Sequence, residues 1–280
     1  MFFINYLKII MLVNFTKADV RISVNEWTLK SAILDREVTC VVYTPKIADV
    51  TEPLHLLLIN DGQDLAAMQY DQILLNMYQK KDIQPIVTVG IKAGNRLQEY
   101  GISGQPDFKG RGSAALAYRQ FITQELLPAI YTQTTNTAFA SYTIAGFSLG
   151  ALSALDIGWH EAGIFSKIGA FSGSFWWRSK EFTSAQPDKH RIAHKLIRKS
   201  TDKPSLKFWF QAGTQDERSD RNQNGIIDSI DDSTSLIYEL YQKGYQKGKD
   251  VRYVELIGGK HDVATWGKMM PEFLCWAFEK

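Results

Sequence analysis

The stretch Tyr142-Thr143-Ile144-Ala145-Gly146-Phe147-Ser148-Leu149-Gly150-Ala151-Leu152-Ser153-Ala154-Leu155-Asp156-Ile157 decides how the chain is read. Its first four residues are β-prone and its last seven small and leucine-rich, so Gly146 to Gly150 falls where a strand turns into a helix. A G-x-S-x-G pentapeptide needs that setting. A serine at the tip of so sharp a turn has a strained backbone, and glycine two residues to either side lets strand and helix approach. The Ser148 hydroxyl is therefore expected above the sheet as a nucleophile, with the Leu149 N–H at the helix start facing any oxyanion that forms. The pattern alone recurs by chance in roughly one chain in ten of this length. Its weight comes from the residues around it.

Two continuous apolar runs, Leu54-His55-Leu56-Leu57-Leu58-Ile59 and Ile86-Val87-Thr88-Val89-Gly90-Ile91, read as strands buried on both faces, with a helix expected at 66–79 between them. This β-α-β alternation predicts an α/β fold with a mostly parallel, doubly wound sheet. The alternating segments 20–24 and 36–43 predict an antiparallel pair at its edge. Polar Asn60-Asp61-Gly62-Gln63-Asp64 follows the first run at the carboxyl edge, where such sheets bind ligands, and the Gln63 N–H is a candidate second oxyanion donor. The loop after the second run holds Arg96, Glu99 and Tyr100. Arg96 is a candidate to orient a substrate carbonyl or carboxylate; an Arg96 to Glu99 ion pair is the alternative. A helix is expected at 114–131.

Further on, Ser172-Gly173-Ser174-Phe175-Trp176-Trp177 follows a short strand pattern, and Trp176 is expected to wall a substrate pocket. Leu206 to Gly213 reads as a strand, and Thr214-Gln215-Asp216-Glu217 stands at its exit. A carboxylate is needed there to hold a histidine tautomer and stabilise the imidazolium; Asp216 is the choice, Glu217 the alternative. After the closing strand at 251–256 comes Gly258-Gly259-Lys260-His261-Asp262. Among five histidines, His261 is the one expected on a glycine-flexed loop at a strand's carboxyl end. His55 falls within a buried strand, and His160, His190 and His194 read as on or near helix surfaces. The order Ser148, Asp216, His261 is that of an α/β-hydrolase triad.

Between acid and histidine lies Asp220-Arg221-Asn222-Gln223-Asn224-Gly225-Ile226-Ile227-Asp228-Ser229-Ile230-Asp231. Oxygen donors at loop positions one, three, five, nine and twelve, a turn glycine at six and an aliphatic at eight match the twelve-residue calcium-loop scheme. The expected ligands are Asp220, Asn222, Asn224, Ile226 through its carbonyl, Asp228 and Asp231, holding a structural Ca²⁺; catalysis is expected to need no cofactor. Aspartate at position twelve shortens the reach for bidentate binding, and an acid loop replaces the entering helix.

With 280 residues the chain suits one large domain, expected at 20–280 with the calcium-type loop at 220–231 inside it, after an extension at 1–19. A formal net charge of +2 gives no global field for nucleic acid, and no stretch approaches a membrane span. Residues 1–13 are apolar, but Asn5 and Lys8 interrupt them and Thr16-Lys17-Ala18 is a poor cleavage site. A cytoplasmic protein is expected, with a periplasmic or secreted one the alternative. Cys40 and Cys275 read as separate core residues.

The motifs together resemble the esterase branch of the α/β-hydrolases that includes esterase D, feruloyl esterases and enterochelin esterases. The likeness runs from about Arg36 to the C-terminus and rests on Asp61-Gly62-Gln63, Arg96 with Glu99-Tyr100, Gly146 to Gly150, Ser172-Gly173-Ser174 with Trp176-Trp177, Gly213 to Asp216, and Gly259-Lys260-His261 with Trp266. It implies hydrolysis of a small acyl or aryl carboxylic ester through an acyl-enzyme, with no large lid. Acyl transfer from the same triad and a non-catalytic, calcium-stabilised binding protein are the alternatives. Relatives commonly carry serine-proline-serine before the tryptophans; Gly173 departs from that and is expected to loosen the pocket wall.

Overall fold

The computed structural model describes residues 20–47, 53–134 and 138–280. The signal-like segment lies outside them. All eight strands among the described residues join one sheet: β1 (Val20–Ser31), β2 (Arg36–Ile47), β3 (His55–Asn60), β4 (Ile86–Ile91), β5 (Tyr142–Phe147), β6 (Lys167–Phe171), β7 (Lys207–Gln215) and β8 (Val251–Lys260), in the order β1-β2-β4-β3-β5-β6-β7-β8. β1 pairs with β2, and β2 with β4, antiparallel; every other pairing is parallel. β5, which ends just before Ser148, is central.

Both sheet faces are covered, which is why β3 and β4 read as unbroken apolar runs. Leu56 and Leu58 face a core under α3 (Ala115–Phe121), α4 (Leu127–Thr134), α5 (Leu149–His160), α6 (Ile192–Lys199) and α7 (Asp228–Gln242). Leu57 and Ile59 face a second core under α1 (Tyr70–Lys80) and α8 (Val263–Phe278). That second core is aromatic: Phe171 lies 4.6 Å from Trp209 and 5.3 Å from Phe273, centroid to centroid. Dense aromatic packing there holds the carboxyl ends of β5, β6 and β7 in fixed relation.

Several boundaries differ from the expectation for local reasons. α1 starts at Tyr70 rather than 66, because Gly62–Asp64 forms a short 3₁₀ turn and Gln69 takes φ +54°. The helix expected at 114–131 is interrupted by a π turn at Ile122–Leu126 just before Pro128, a proline that cannot donate to the preceding turn. α8 begins at Val263, so Trp266 lies inside the helix. His194 corrects the surface reading: it is buried on the inner side of α6, with Nε2 3.1 Å from the Asp232 carbonyl and 3.0 Å from Ser235 Oγ on α7. Cys40 and Cys275 are free thiols, the first buried and the second half-buried.

The largest change is at the last two strands. β8 runs through Gly258 and Gly259 to Lys260, so His261 follows a strand end directly instead of riding on a glycine loop. β7 likewise runs two residues past Gly213, with a register shift between Gly213 and Gln215. A Cβ on Gly213 would stand 2.4 Å from the Gly259 carbonyl oxygen. Glycine there lets the ends of β7 and β8 close together, which brings Asp216 and His261 side by side.

Candidate active site

Ser148 bridges β5 and α5 with φ +54° and ψ −118°, a strained conformation for a residue with a side chain. The strain is held from both sides. A Cβ at Gly146 would stand 2.3 Å from the Gly150 carbonyl oxygen, and one at Gly150 would stand 2.6 Å from Asp61 Oδ2. The Ser148 N–H donates to the Phe171 carbonyl (2.9 Å), and its own carbonyl accepts from the Ser174 N–H (3.1 Å). Its Oγ lies 3.3 Å from Ser174 Oγ. Ser174 was legible only as part of a motif; its contact with Ser148 comes from β6 ending beside β5.

The loop after β3 stands against this elbow. Asp61 takes φ +63°, and its N–H donates to the Tyr100 hydroxyl at 3.1 Å. Asn60 accepts from the Tyr118 hydroxyl (2.8 Å) and donates to the Gly150 carbonyl (2.9 Å). Arg96 grips the buried Asp61 carboxylate with two hydrogen bonds of 2.8 and 2.9 Å and donates a third, at 3.3 Å, to the Phe147 carbonyl. The Arg96 to Glu99 ion pair does not form. Glu99 instead accepts two bonds from Arg36 on β2, at 2.7 and 2.6 Å. Arg96 therefore ties the Gln63 loop to the residue before Ser148. Among the described residues, neither the Leu149 nor the Gln63 N–H donates to another protein group, so both stay available to a ligand oxygen.

Asp216 follows β7 directly and is buried, and neither carboxylate oxygen closes a hydrogen bond of good geometry among the described residues. Burial pushes its pKa up, against the opposing pull of Gly213, Ser172 and His261. Desolvation moves the His261 pKa below the ordinary imidazole value, against the pull of Asp216. The ring meets Trp266 edge-on at 5.4 Å. Glu217 turns the other way: burial raises its pKa first, and then Asp228 and Asp232 do. Trp266 stacks on Phe147 at 5.0 Å and donates from Nε1 to Ser172 Oγ at 3.0 Å.

The two tryptophans differ in burial. Trp177 is buried, with Arg111 over its ring at 4.7 Å, while Trp176 is exposed. Trp176 borders an open groove of about 610 Å³ with Phe108, Phe182, Arg178, Glu217 and Asp220, and none of Ser148, Asp216 or His261 lines it. Gly173 does not leave a gap: a Cβ there would stand 2.4 Å from the ring of Phe175, which is fully buried.

In the 220–231 loop Asp220 accepts the Asn224 and Gly225 N–H groups at 3.1 and 2.9 Å, and Asn224 Oδ1 accepts the Ile226 N–H at 2.8 Å. Asp228 caps the other side, taking the Arg221 N–H at 2.9 Å. Asn222 Nδ2 donates to Asp231 (2.9 Å) and to Asp188 (3.0 Å). Gln223 and Gly225 take positive φ in this turn. Among the described residues no three His, Cys, Asp or Glu side chains converge as a metal site. Any ion here relies on the asparagine and main-chain oxygens, a donor set suited to a hard cation.

A mostly parallel eight-stranded sheet with no large lid, carrying a strained serine at the strand-to-helix turn of its central strand, defines the α/β-hydrolase fold. The chain belongs to the family described as "Putative esterase", matched over residues 31–277. Its fold is similar to that of the enterobactin esterase of Shigella flexneri (TM-score 0.69, 20% identity, covering 90% of this chain and 58% of that one). It is also similar to that of a ferulic acid esterase (TM-score 0.68, 17% identity, 93% of this chain and 99% of that one). The uncharacterized protein YbbA of Bacillus subtilis is 29% identical over 143 residues, 48% of this chain and 57% of that protein. The chain thus spans little more than half the length of YbbA and of the enterobactin esterase. Among the described residues no helix is long and apolar enough to cross a membrane.

Proposed function

We propose that this protein is a serine esterase that hydrolyses a carboxylic ester of a small acyl or aryl substrate through an acyl-enzyme. The observation that carries the reading is the strained Ser148, held between Gly146 and Gly150 next to two unengaged N–H groups. Strain of that kind persists only where the surrounding structure imposes it, and it lifts a hydroxyl clear of the sheet. In the first step Ser148 Oγ attacks the ester carbonyl, and its proton passes to the His261 nitrogen away from Asp216. Asp216 balances the imidazolium, the Leu149 and Gln63 N–H groups bind the oxyanion, and His261 returns the proton to the leaving alcohol. Water activated by the same imidazole then releases the acid. Arg96 braces the oxyanion loop and, with its side chain partly open, is placed to meet a substrate carbonyl or carboxylate; Trp176 walls the acyl or aryl side. Ser148→Ala is expected to lower kcat on p-nitrophenyl acetate on the order of 10⁴-fold and to abolish fluorophosphonate labelling. A variant keeping most of its activity would refute the reading.

We propose in addition that the 220–231 loop binds Ca²⁺ as a structural ion through Asp220, Asn222, Asn224, the Ile226 carbonyl, Asp228 and Asp231. The backbone path and the asparagine oxygens support it. Asp228 is the weakest member, since Arg221 already engages it. The ion would brace the segment that carries Asp216 and supply no chemistry to the ester.

A further inference from the structure

Asp216 poses an accounting problem. Its carboxylate is 9% exposed, and both oxygens lack a closed hydrogen bond among the described residues. A buried carboxylate without donors is costly, so a working triad must supply them. His261 can supply one through a ring N–H, since it lies within electrostatic reach of the acid. A second donor stands on the neighbouring strand end.

Ser172 is the first residue after β6, buried, with φ +46°, and its N–H donates to the Gln211 carbonyl of β7 at 2.8 Å. Its Oγ accepts from Trp266 Nε1 at 3.0 Å. Indole nitrogen is a donor only, so Ser172 must be the acceptor in that bond, and its one proton is free for another partner. We propose that Ser172 is a positioning residue whose hydroxyl, aimed by Trp266, donates to the Asp216 carboxylate and fixes the acid's orientation toward His261. The Ser172 hydroxyl already acts to draw the Asp216 pKa down. The open geometry is that of a resting site, whose hydrogen bonds close when the imidazolium forms. Trp266 links the parts: one ring stacks on Phe147 before the nucleophile, meets His261 edge-on and donates to Ser172.

This inference rests on the triad reading above, and its test separates the two. Ser172→Gly removes the hydroxyl and leaves Trp266 Nε1 short of its acceptor, but it relieves the positive φ, so the fold should hold with a modestly lowered melting temperature. On p-nitrophenyl acetate its kcat should fall roughly ten- to hundredfold, the worth of a hydrogen bond to a charged group. The acid limb of kcat/KM should move to higher pH. Without the donor, the carboxylate charge is less delocalised and holds the His261 proton more tightly. The other charges that bear on His261, Arg96 and Asp262, and those that bear on Asp216, Asp262 and the Tyr253 hydroxyl, are unchanged by the variant. Trp266→Phe keeps a ring against Phe147 and His261 but loses the N–H; it should shift the limb in the same direction by less. A Ser172→Gly enzyme with kcat within twofold of wild type, or with a reduced kcat and an unmoved acid limb, would overturn the proposal. Activity surviving in Ser148→Ala would instead overturn the triad itself.

Discussion

At the scale of single residues, geometry and charge make two predictions. A Cβ at position 146 would meet main chain, the Gly150 carbonyl at 2.3 Å, which cannot swing away as a side-chain tip can. Gly146→Ala should therefore cost about 3 kcal/mol or more in urea denaturation, and fluorophosphonate should label it poorly even where it stays folded. His261 concerns pH. In the proposed mechanism neutral imidazole is the base; desolvation disfavours the imidazolium, so the neutral form persists below the ordinary value of 6.5. kcat/KM on a neutral ester should rise with pH to a half-maximum below 6.5. A half-maximum above 7 would mean that the Asp216 field outweighs desolvation.

At the scale of elements, the turn entering α7 joins a polar loop to a buried charge cluster. Arg221 donates to Asp188 at 2.8 Å and reaches Asp232 at 2.9 Å, while Arg191 bonds the same Asp232 at 2.6 Å. Asp232 is fully buried, so Arg221→Met leaves part of its charge uncompensated and should cost about 3 kcal/mol, read as a lowered urea midpoint. The neighbouring loop should respond to calcium by mass action, with about 2.7 kcal/mol of stabilisation at a hundredfold excess over the dissociation constant. Asp220→Ala with Asn222→Ala should remove that response and leave Ser148 reactive. Melting curves in EGTA and in millimolar calcium decide the matter: an unmoved midpoint, with no calcium in the purified protein by elemental analysis, reduces the loop to an ordinary polar turn.

For the whole molecule, one helix carries both core packing and contacts with the candidate site. α8 supplies Phe273 to the aromatic core, where it packs so tightly that a Cβ at Gly169 would fall 2.4 Å from its ring. The same helix carries Trp266, which touches the site. Phe273→Ala should cost about 3–5 kcal/mol and lower the urea midpoint without changing the slope. The folded fraction at 25 °C should keep near wild-type kcat, because Phe273 contacts none of the reacting groups. A large fall in kcat with an unchanged midpoint would show that α8 positions the site more directly than its packing indicates.

The strained strand-to-helix turn at Ser148 was legible because it is local. Glycine at 146 and 150, the β-to-leucine change around Ser148, and polar residues after apolar runs report strand ends and a sharp turn from neighbours only a few positions apart. The same local rule set the buried strands and the parallel sheet. What the sequence could not decide was pairing across distance. Arg96 has Glu99 three residues away, yet it bonds Asp61, because β3 lies beside β4 and the two exit loops meet, while β2 brings Arg36 to Glu99. His194 looks like one more polar residue in a basic helix, and only the docking of α6 on α7 buries it. Ser172 and Ser174 stand far in sequence from Trp266 and from Ser148, and they meet them because β5 and β6 end, and α8 begins, at one edge. Period and turn chemistry are properties of neighbouring residues, whereas the partner of a charge or a hydroxyl is fixed by strand order and helix packing, which no short window contains.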